Sequence, residues 1–222
     1  MGEAQYHVQI DEFKRLGAPE MGPMTGQVWR EDPRRLAFVL ARYKFVSKML
    51  DGKQSAVEFG CGDGFGMRLV RQTVGSVHGI DFDDVFIDWA RACAARENLD
   101  CTYEILDFIA NTPAGRYDAA YSLDVIEHIP AALEARYVDN LAGVLGPTGV
   151  CIVGTPNVTA TPYASAVSLA GHINLKSAAD LRATMSRRFA NVFVFSMNDE
   201  VVHTGFSPMA HYLFALCVGP TA

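Results

Sequence analysis

From residue 55 to residue 154, short β-rich runs alternate with amphipathic helical stretches. That alternation folds as a parallel sheet with helices on both faces. The β-rich runs are SAVEF (55–59), SVHGID (76–81), CTYEIL (101–106), YDAAYS (117–122) and GVCIVG (149–154). Helical periodicity fills 65–73, 84–97 and 131–145, the last closed by Gly146-Pro147. Beyond a loop holding Pro156 and Pro162 come a small-residue apolar piece at 164–170 and a helix near 177–187. Two final β-rich runs, 190–197 and 206–217, are joined by a loop and not a helix, the pattern of an antiparallel pair at a sheet edge. The expected architecture is α/β: a doubly wound, mostly parallel, seven-stranded sheet with an antiparallel edge strand.

Residues 1–50 read as a small helical cap or lid on a main domain at 51–222. The glycines and prolines of GAPEMGPMTG (17–26) argue against regular structure there. A helix is expected from Asp32-Pro33, an N-cap acid before a proline at the first helical position. Leu36, Val39, Leu40, Tyr43, Val46 and Leu50 form its apolar stripe, and Arg34, Arg42 and Lys48 its other face.

Of the 222 residues, 50% are hydrophobic and 20% charged, which fits one compact domain and excludes disorder. The formal charge of −6 disfavours capture of a nucleic-acid backbone. The five cysteines, Cys61, Cys93, Cys101, Cys151 and Cys217, are scattered and never form CxxC, as expected of reduced thiols in a cytoplasm. Neither a signal core nor a bilayer-spanning apolar stretch is visible, and Gly2 lacks the Ser or Thr at position 6 that myristoylation asks for. The expectation is therefore a cytoplasmic protein without a membrane partner. The sequon at Asn157 then carries no meaning. A homodimer would pair through the last strand or the N-terminal helix.

The first strand runs into Glu58-Phe59-Gly60-Cys61-Gly62-Asp63-Gly64-Phe65-Gly66 before a helix. Bare backbone at the carboxyl end of a strand is where doubly wound sheets hold ligands. The dinucleotide fingerprint GxGxxG fails, because Phe65 or Met67 stands at the third glycine's place, and no Gly-Lys-Ser/Thr makes a phosphate loop. Acids stand there instead. Glu58 precedes the glycines, Asp81 ends the second strand and Asp107 follows the third. An acid at the place of Asp81 can accept hydrogen bonds from both hydroxyls of a ribose.

Together with Tyr117-Asp118-Ala119-Ala120 and the turn Leu145-Gly146-Pro147-Thr148-Gly149, these segments resemble class I S-adenosylmethionine (SAM) dependent methyltransferases over roughly residues 55–157. The resemblance implies SAM as cofactor and S-adenosylhomocysteine (SAH) as product. It places Glu58, Gly60 and Gly62 at the methionine end, Asp81 at the ribose, and Asp107 with the backbone of Phe108 at the adenine. Cys61, Phe82 and Leu123 adjoin the same site. Acids and bare backbone suit a cation without phosphates.

Strand four exits into Leu123-Asp124-Val125-Ile126-Glu127-His128-Ile129-Pro130, where this fold brings the acceptor to the methyl group. The wording resembles the ubiquinone-biosynthesis O-methyltransferases and the enzymes that methylate the 3′-terminal 2′-hydroxyl of small RNAs. In the latter family the matching acids and histidine, with a further histidine, hold a divalent metal, and His172 is matched to that further ligand. Three readings stand. Asp124, Glu127, His128 and His172 hold Mg²⁺ or a similar ion that lowers the pKa of an acceptor hydroxyl. Alternatively, Asp124 and a histidine, His128 or His172, provide plain general-base catalysis. In the third reading Glu127 and His128 only cap the helix and order the cofactor loop.

The flanking segments 21–30 and 155–176 are where acceptor choice belongs. Arg30, Arg34, Arg35 and Arg42 offer partners for an anionic acceptor, or else form a solvated helix face. His203 is expected in a tight turn, and His211, Tyr212 and Phe214 in packing. The functional expectation is methyl transfer to a hydroxyl oxygen of a small molecule, a sugar or other biosynthetic intermediate. The alternatives are RNA 2′-O-methylation with a divalent metal, a non-catalytic SAM-binding module, and, from fold alone, a nicotinamide oxidoreductase.

Overall fold

A computed structural model describes residues 6–221; Gly2 and the start of the expected N-terminal helix lie outside the described residues. Three helices lead: α1 (His7–Leu16), α2 (Pro23–Glu31) and α3 (Arg34–Met49). Then follow β1 (Ala56–Phe59), α4 (Met67–Arg71), β2 (Val77–Asp81), α5 (Asp84–Glu97), β3 (Cys101–Ile105), β4 (Tyr117–Leu123), α6 (Glu134–Gly143) and β5 (Leu145–Pro156). The chain closes with α7 (Ala166–Gly171), α8 (Ala178–Met185), β6 (Phe189–Asn198), β7 (Val201–His203) and β8 (Tyr212–Pro220). The strands form one sheet in the order β3-β2-β1-β4-β5-β8-β6-β7. Neighbours from β3 to β5 are parallel, and β8 runs antiparallel to both β5 and β6.

Side-chain alternation along the strands divides the core in two, one half on each face. On one face Val57 and Phe59 of β1 and Leu213, Ala215 and Cys217 of β8 meet Tyr137 and Leu141 of α6 and Leu181 and Met185 of α8. On the other, Tyr121, Ile152, Tyr212 and Phe214 meet Tyr43 and Val46 of α3 and Met67 of α4. Helix starts follow the local chemistry: the Asp83 carboxylate accepts N–H bonds from Val85 and Phe86, and Ser177 with Asp180 makes a capping box at α8.

The doubly wound sheet stands as expected, and the short β7, antiparallel to β6, is an eighth strand at its edge. The segment 17–26 is less irregular than its glycines and prolines suggest, because Pro23 opens α2 instead of breaking it and the helix continues through Gly26. In α3 the proline stands one position earlier than expected, with Pro33 at the N-cap, while Asp32 accepts from the Arg34 N–H at 3.3 Å. Gly146-Pro147 does not close a helix but lies inside β5, beside a register irregularity between Tyr117 and Ala119. The last strand offers no free edge for a dimer, since β8 is enclosed by β5 and β6. Among the described residues no helix is long and apolar enough to cross a membrane.

Candidate active site

The loop after β1 is shaped by Gly60 and Gly62, both with positive φ, at 78° and 52°. A Cβ on Gly60 would stand 2.4 Å from Val125 Cγ2, and one on Gly62 would stand 2.6 Å from the Met24 methyl. The glycines therefore let the backbone run close beneath α2 and beside the segment after β4. Asp63 fastens this contact, for its buried carboxylate accepts from the Thr25 N–H at 2.8 Å and the Thr25 hydroxyl at 2.9 Å. Nothing in the GCGDG wording signalled that partner.

Beneath the loop, Glu58 is fully buried and accepts from the hydroxyls of Tyr43 at 2.6 Å and Tyr121 at 3.0 Å. Burial raises its pKa to about 8, against the pull of the two tyrosine hydrogen bonds. Cys61 is buried as well, its thiol pushed well up by burial, so only its backbone belongs to the loop surface.

Asp81 ends β2 with Oδ2 accepting from the Gly62 N–H at 2.9 Å and Oδ1 from the Asp83 N–H at 3.0 Å. Each oxygen keeps a further lone-pair site. Phe82 next to it is 71% exposed, an apolar ring left at the surface. Asp107 lies two residues beyond β3 and caps its own turn, accepting from Ile109 and Ala110. The Phe108 ring packs inward on Phe59 and Tyr137, while its carbonyl is held by Asn140 at 2.7 Å. Leu123 is buried at the end of β4. Gly60, Gly62, Asp81, Phe82, Asp107, Phe108 and Leu123 thus all stand at the carboxyl ends of adjacent strands.

After β4 a short 3-10 turn carries Ile126–His128. Glu127 is buried, with Oε2 accepting from the Thr155 hydroxyl at 3.0 Å and Oε1 without a partner. Burial and the nearby charge of Asp124 raise its pKa to about 8. His128 Nδ1 lies 2.9 Å from the Gly171 carbonyl, which can only accept, so Nδ1 carries the proton and Nε2 is the free nitrogen. The His172 ring stands 5.0 Å from it, centroid to centroid. Burial, with help from His128, lowers the His172 pKa. One ligand atom from each of Glu127, His128 and His172 lies within 4.8 Å of the others.

Asp124 does not join that group. Its backbone is left-handed, with φ 57°, and Arg42 Nη1 donates to both its oxygens, at 2.8 and 2.7 Å. Arg42 in turn lies with its guanidinium carbon 3.9 Å from the centre of the Tyr212 ring, and its side chain is 15% exposed. The expectation of a solvated arginine face thus fails at Arg42; its place between two apolar helix positions gave no sign of a partner 82 residues away. Arg34 turns to Asp32 at 2.9 Å, and Arg35 pairs loosely with Glu31 at 3.8 Å.

Arg35, Arg42, Asp124, Asn157, His172 and His211 line one cleft of about 390 Å³. His211 is more than packing: it reaches the cleft wall with a buried, unpartnered Nε2, its pKa lowered by burial and by Arg42. Asn157 pins the cleft's loops, donating to the carbonyls of Ser207 and Ala210. His203 serves its turn, accepting from the Gly205 N–H at 2.9 Å.

A parallel run β3-β2-β1-β4-β5 joined to an antiparallel end, with a glycine loop leaving β1 and acids at the next strand ends, defines the class I, SAM-dependent methyltransferase fold. The family described as a methyltransferase domain matches residues 56–149. The ubiquinone biosynthesis O-methyltransferase of Psychrobacter arcticus is 27% identical over 143 residues, covering 63% of this chain and 55% of its own length. The mitochondrial enzyme of that description from Arabidopsis thaliana is 30% identical over 152 residues, covering 64% and 46%. The chain spans about half the length of these curated relatives. Among solved structures, the N-methyltransferase NodS from Bradyrhizobium japonicum in complex with SAH aligns with a TM-score of 0.63 at 19% identity, covering 95% of this chain and 98% of that one.

Proposed function

We propose that this chain is a SAM-dependent methyltransferase acting on a hydroxyl oxygen of a small molecule, with residues 1–50 as the cap over its acceptor. The observation that carries the reading is the free Nε2 of His128 beside His172 and buried Glu127, at the end of β4 and next to the cofactor strands. Asp81 receives the ribose hydroxyls, the backbone of Gly60, Cys61 and Gly62 lies against the methionine portion, and Phe82 and the 107–108 turn flank the adenine. Glu58 acts from below, holding the loop through Tyr43 and Tyr121. His128 Nε2 takes the hydroxyl proton, while the cleft walls exclude water and align the oxygen with the methyl group. An anionic group on the acceptor would meet Arg35, the cleft arginine with the looser partner.

The same three side chains fit a divalent cation. One carboxylate and two imidazoles are a suitable donor set, and Glu127 Oε1 is a buried oxygen in need of a partner. A bound cation would supply a lowered pKa to an acceptor hydroxyl. An RNA acceptor finds less support, since of Arg30, Arg34, Arg35 and Arg42 two are held by aspartates at hydrogen-bond distance.

Transfer of an isotopically labelled methyl group from SAM into a small-molecule extract, read by mass spectrometry, tests the reading. A labelled product whose fragments place the methyl on oxygen is expected. Absence of any labelled product with SAM binding intact would overturn it in favour of a macromolecular acceptor or a binding module.

A further inference from the structure

We infer that Arg42 is a positioning residue that holds Asp124 out of the Glu127–His128–His172 group and so fixes the donor set of that group at one carboxylate and two imidazoles. The inference rests on the cation reading of the site proposed above. Asp124 stands two residues before the short turn Ile126–His128 that carries Glu127, and Asp124 lines the same cleft as His172. Spacing alone would let both carboxylates face one ion. What prevents it is a contact from another element: a single guanidinium nitrogen from α3 donates to both Asp124 oxygens. The guanidinium is itself fixed by its seat over the Tyr212 ring and by a mostly buried side chain. The left-handed backbone of Asp124 is the second part of the device. Aspartate adopts that conformation more readily than most residues with a Cβ, and here the Asp124 N–H is fixed by donating to the Gly154 carbonyl at 3.0 Å.

Two consequences point the same way. Removing Arg42 releases a carboxylate three residues from Glu127, and it takes a positive charge away from the place where a dication would sit. Both strengthen cation binding, and the second acts without Asp124. A variant pair separates them.

The test is titration of the full chain with Co²⁺, read by calorimetry and by the visible absorption of the bound ion. Arg42→Gln is expected to tighten Co²⁺ binding by about tenfold and to change the absorption spectrum as an oxygen donor joins. Arg42→Gln with Asp124→Asn should lose the spectral change and most of the gain, and Arg42→Lys should stay near wild type. A folded Arg42→Gln chain with wild-type affinity and spectrum would overturn the inference. Asp124→Asn provides a check that does not depend on Arg42→Gln folding. In an otherwise native chain it should leave the Co²⁺ spectrum unchanged, whereas Glu127→Gln should alter it. A spectral change from Asp124→Asn as large as that from Glu127→Gln would make Asp124 a ligand and overturn the inference. If the wild-type chain binds no Co²⁺ and Arg42→Gln binds it only while Asp124 is present, the inference stands and the native cation reading fails; binding that survives Asp124→Asn in the Arg42→Gln chain would overturn the inference. If neither binds, both fail.

Discussion

At the scale of single residues the site separates groups placed to meet a ligand from groups that hold them. In the proposed reading Asp81 belongs to the first kind, with both oxygens able to take a second hydrogen bond beyond those from Gly62 and Asp83. Asp81→Ala should weaken SAM binding by about a hundredfold or more, since it removes two hydrogen bonds to a charged group, each contributing about 1.5–3 kcal/mol. Isothermal titration with SAM would show it, and unchanged affinity would remove the ribose assignment. Glu58 belongs to the second kind, and here the sequence was only half legible. An acid before the glycines is plain in the wording, but its two tyrosine partners are not, because Tyr43 and Tyr121 read as core at helical and strand spacing. Arg42 was illegible for a related reason. Periodicity along one helix says which face a residue takes, whereas its partner depends on how the helix is laid against the sheet. The histidines fared better: His128 and His172 do meet. His211 reads as one more residue of an apolar run, yet it stands just before β8 begins at Tyr212 and faces the cleft.

At the scale of elements the glycine loop and α2 form one assembly. Thr25 gives Asp63 two hydrogen bonds, and Met24 lies on Gly62, so α2 roofs the loop to which we assign the cofactor. Thr25→Ala removes the hydroxyl bond and keeps the backbone one. It should loosen α2 by about 1 kcal/mol, seen as faster amide hydrogen exchange over 23–31 with little change in β1. Equal protection in wild type and variant would show that the hydroxyl bond adds nothing to the seat that the backbone bond and Met24 packing give the helix. Strand existence was readable because two-residue alternation and strand-end acids are local signals. Element ends were not, because Pro23 and Pro147 carry a meaning that depends on their place: one opens a helix, the other sits at an irregular strand start. The short β7 was hidden because three residues carry too little pattern to stand out from a polar turn.

For the molecule as a whole, two buried carboxyls make stability depend on pH. Glu58 and Glu127 both have pKa values raised to about 8 by burial, so between roughly pH 4.5 and 8 the folded chain keeps protons that the unfolded chain releases. Stability should therefore fall as pH rises through that window, by at most about 1.4 kcal/mol per pH unit for each group. Thermal melting between pH 5.5 and 8 would measure it. Glu58→Gln should flatten the slope, and a cationic cofactor above the loop should flatten it as well by favouring the carboxylate. A wild-type melting temperature that climbs across the window would contradict the assignment. The contact between Arg42 and Asp124 also bears on how such proteins diverge. The family match begins at residue 56, so it contains Asp124 and leaves out Arg42, the partner that α3 extends to it. A chimera that exchanges the leading helices for those of another lineage would strand a carboxylate in the cleft. Only moving arginine and aspartate together would keep the pair, and a lineage tree drawn from the matched segment alone would follow only one of the two.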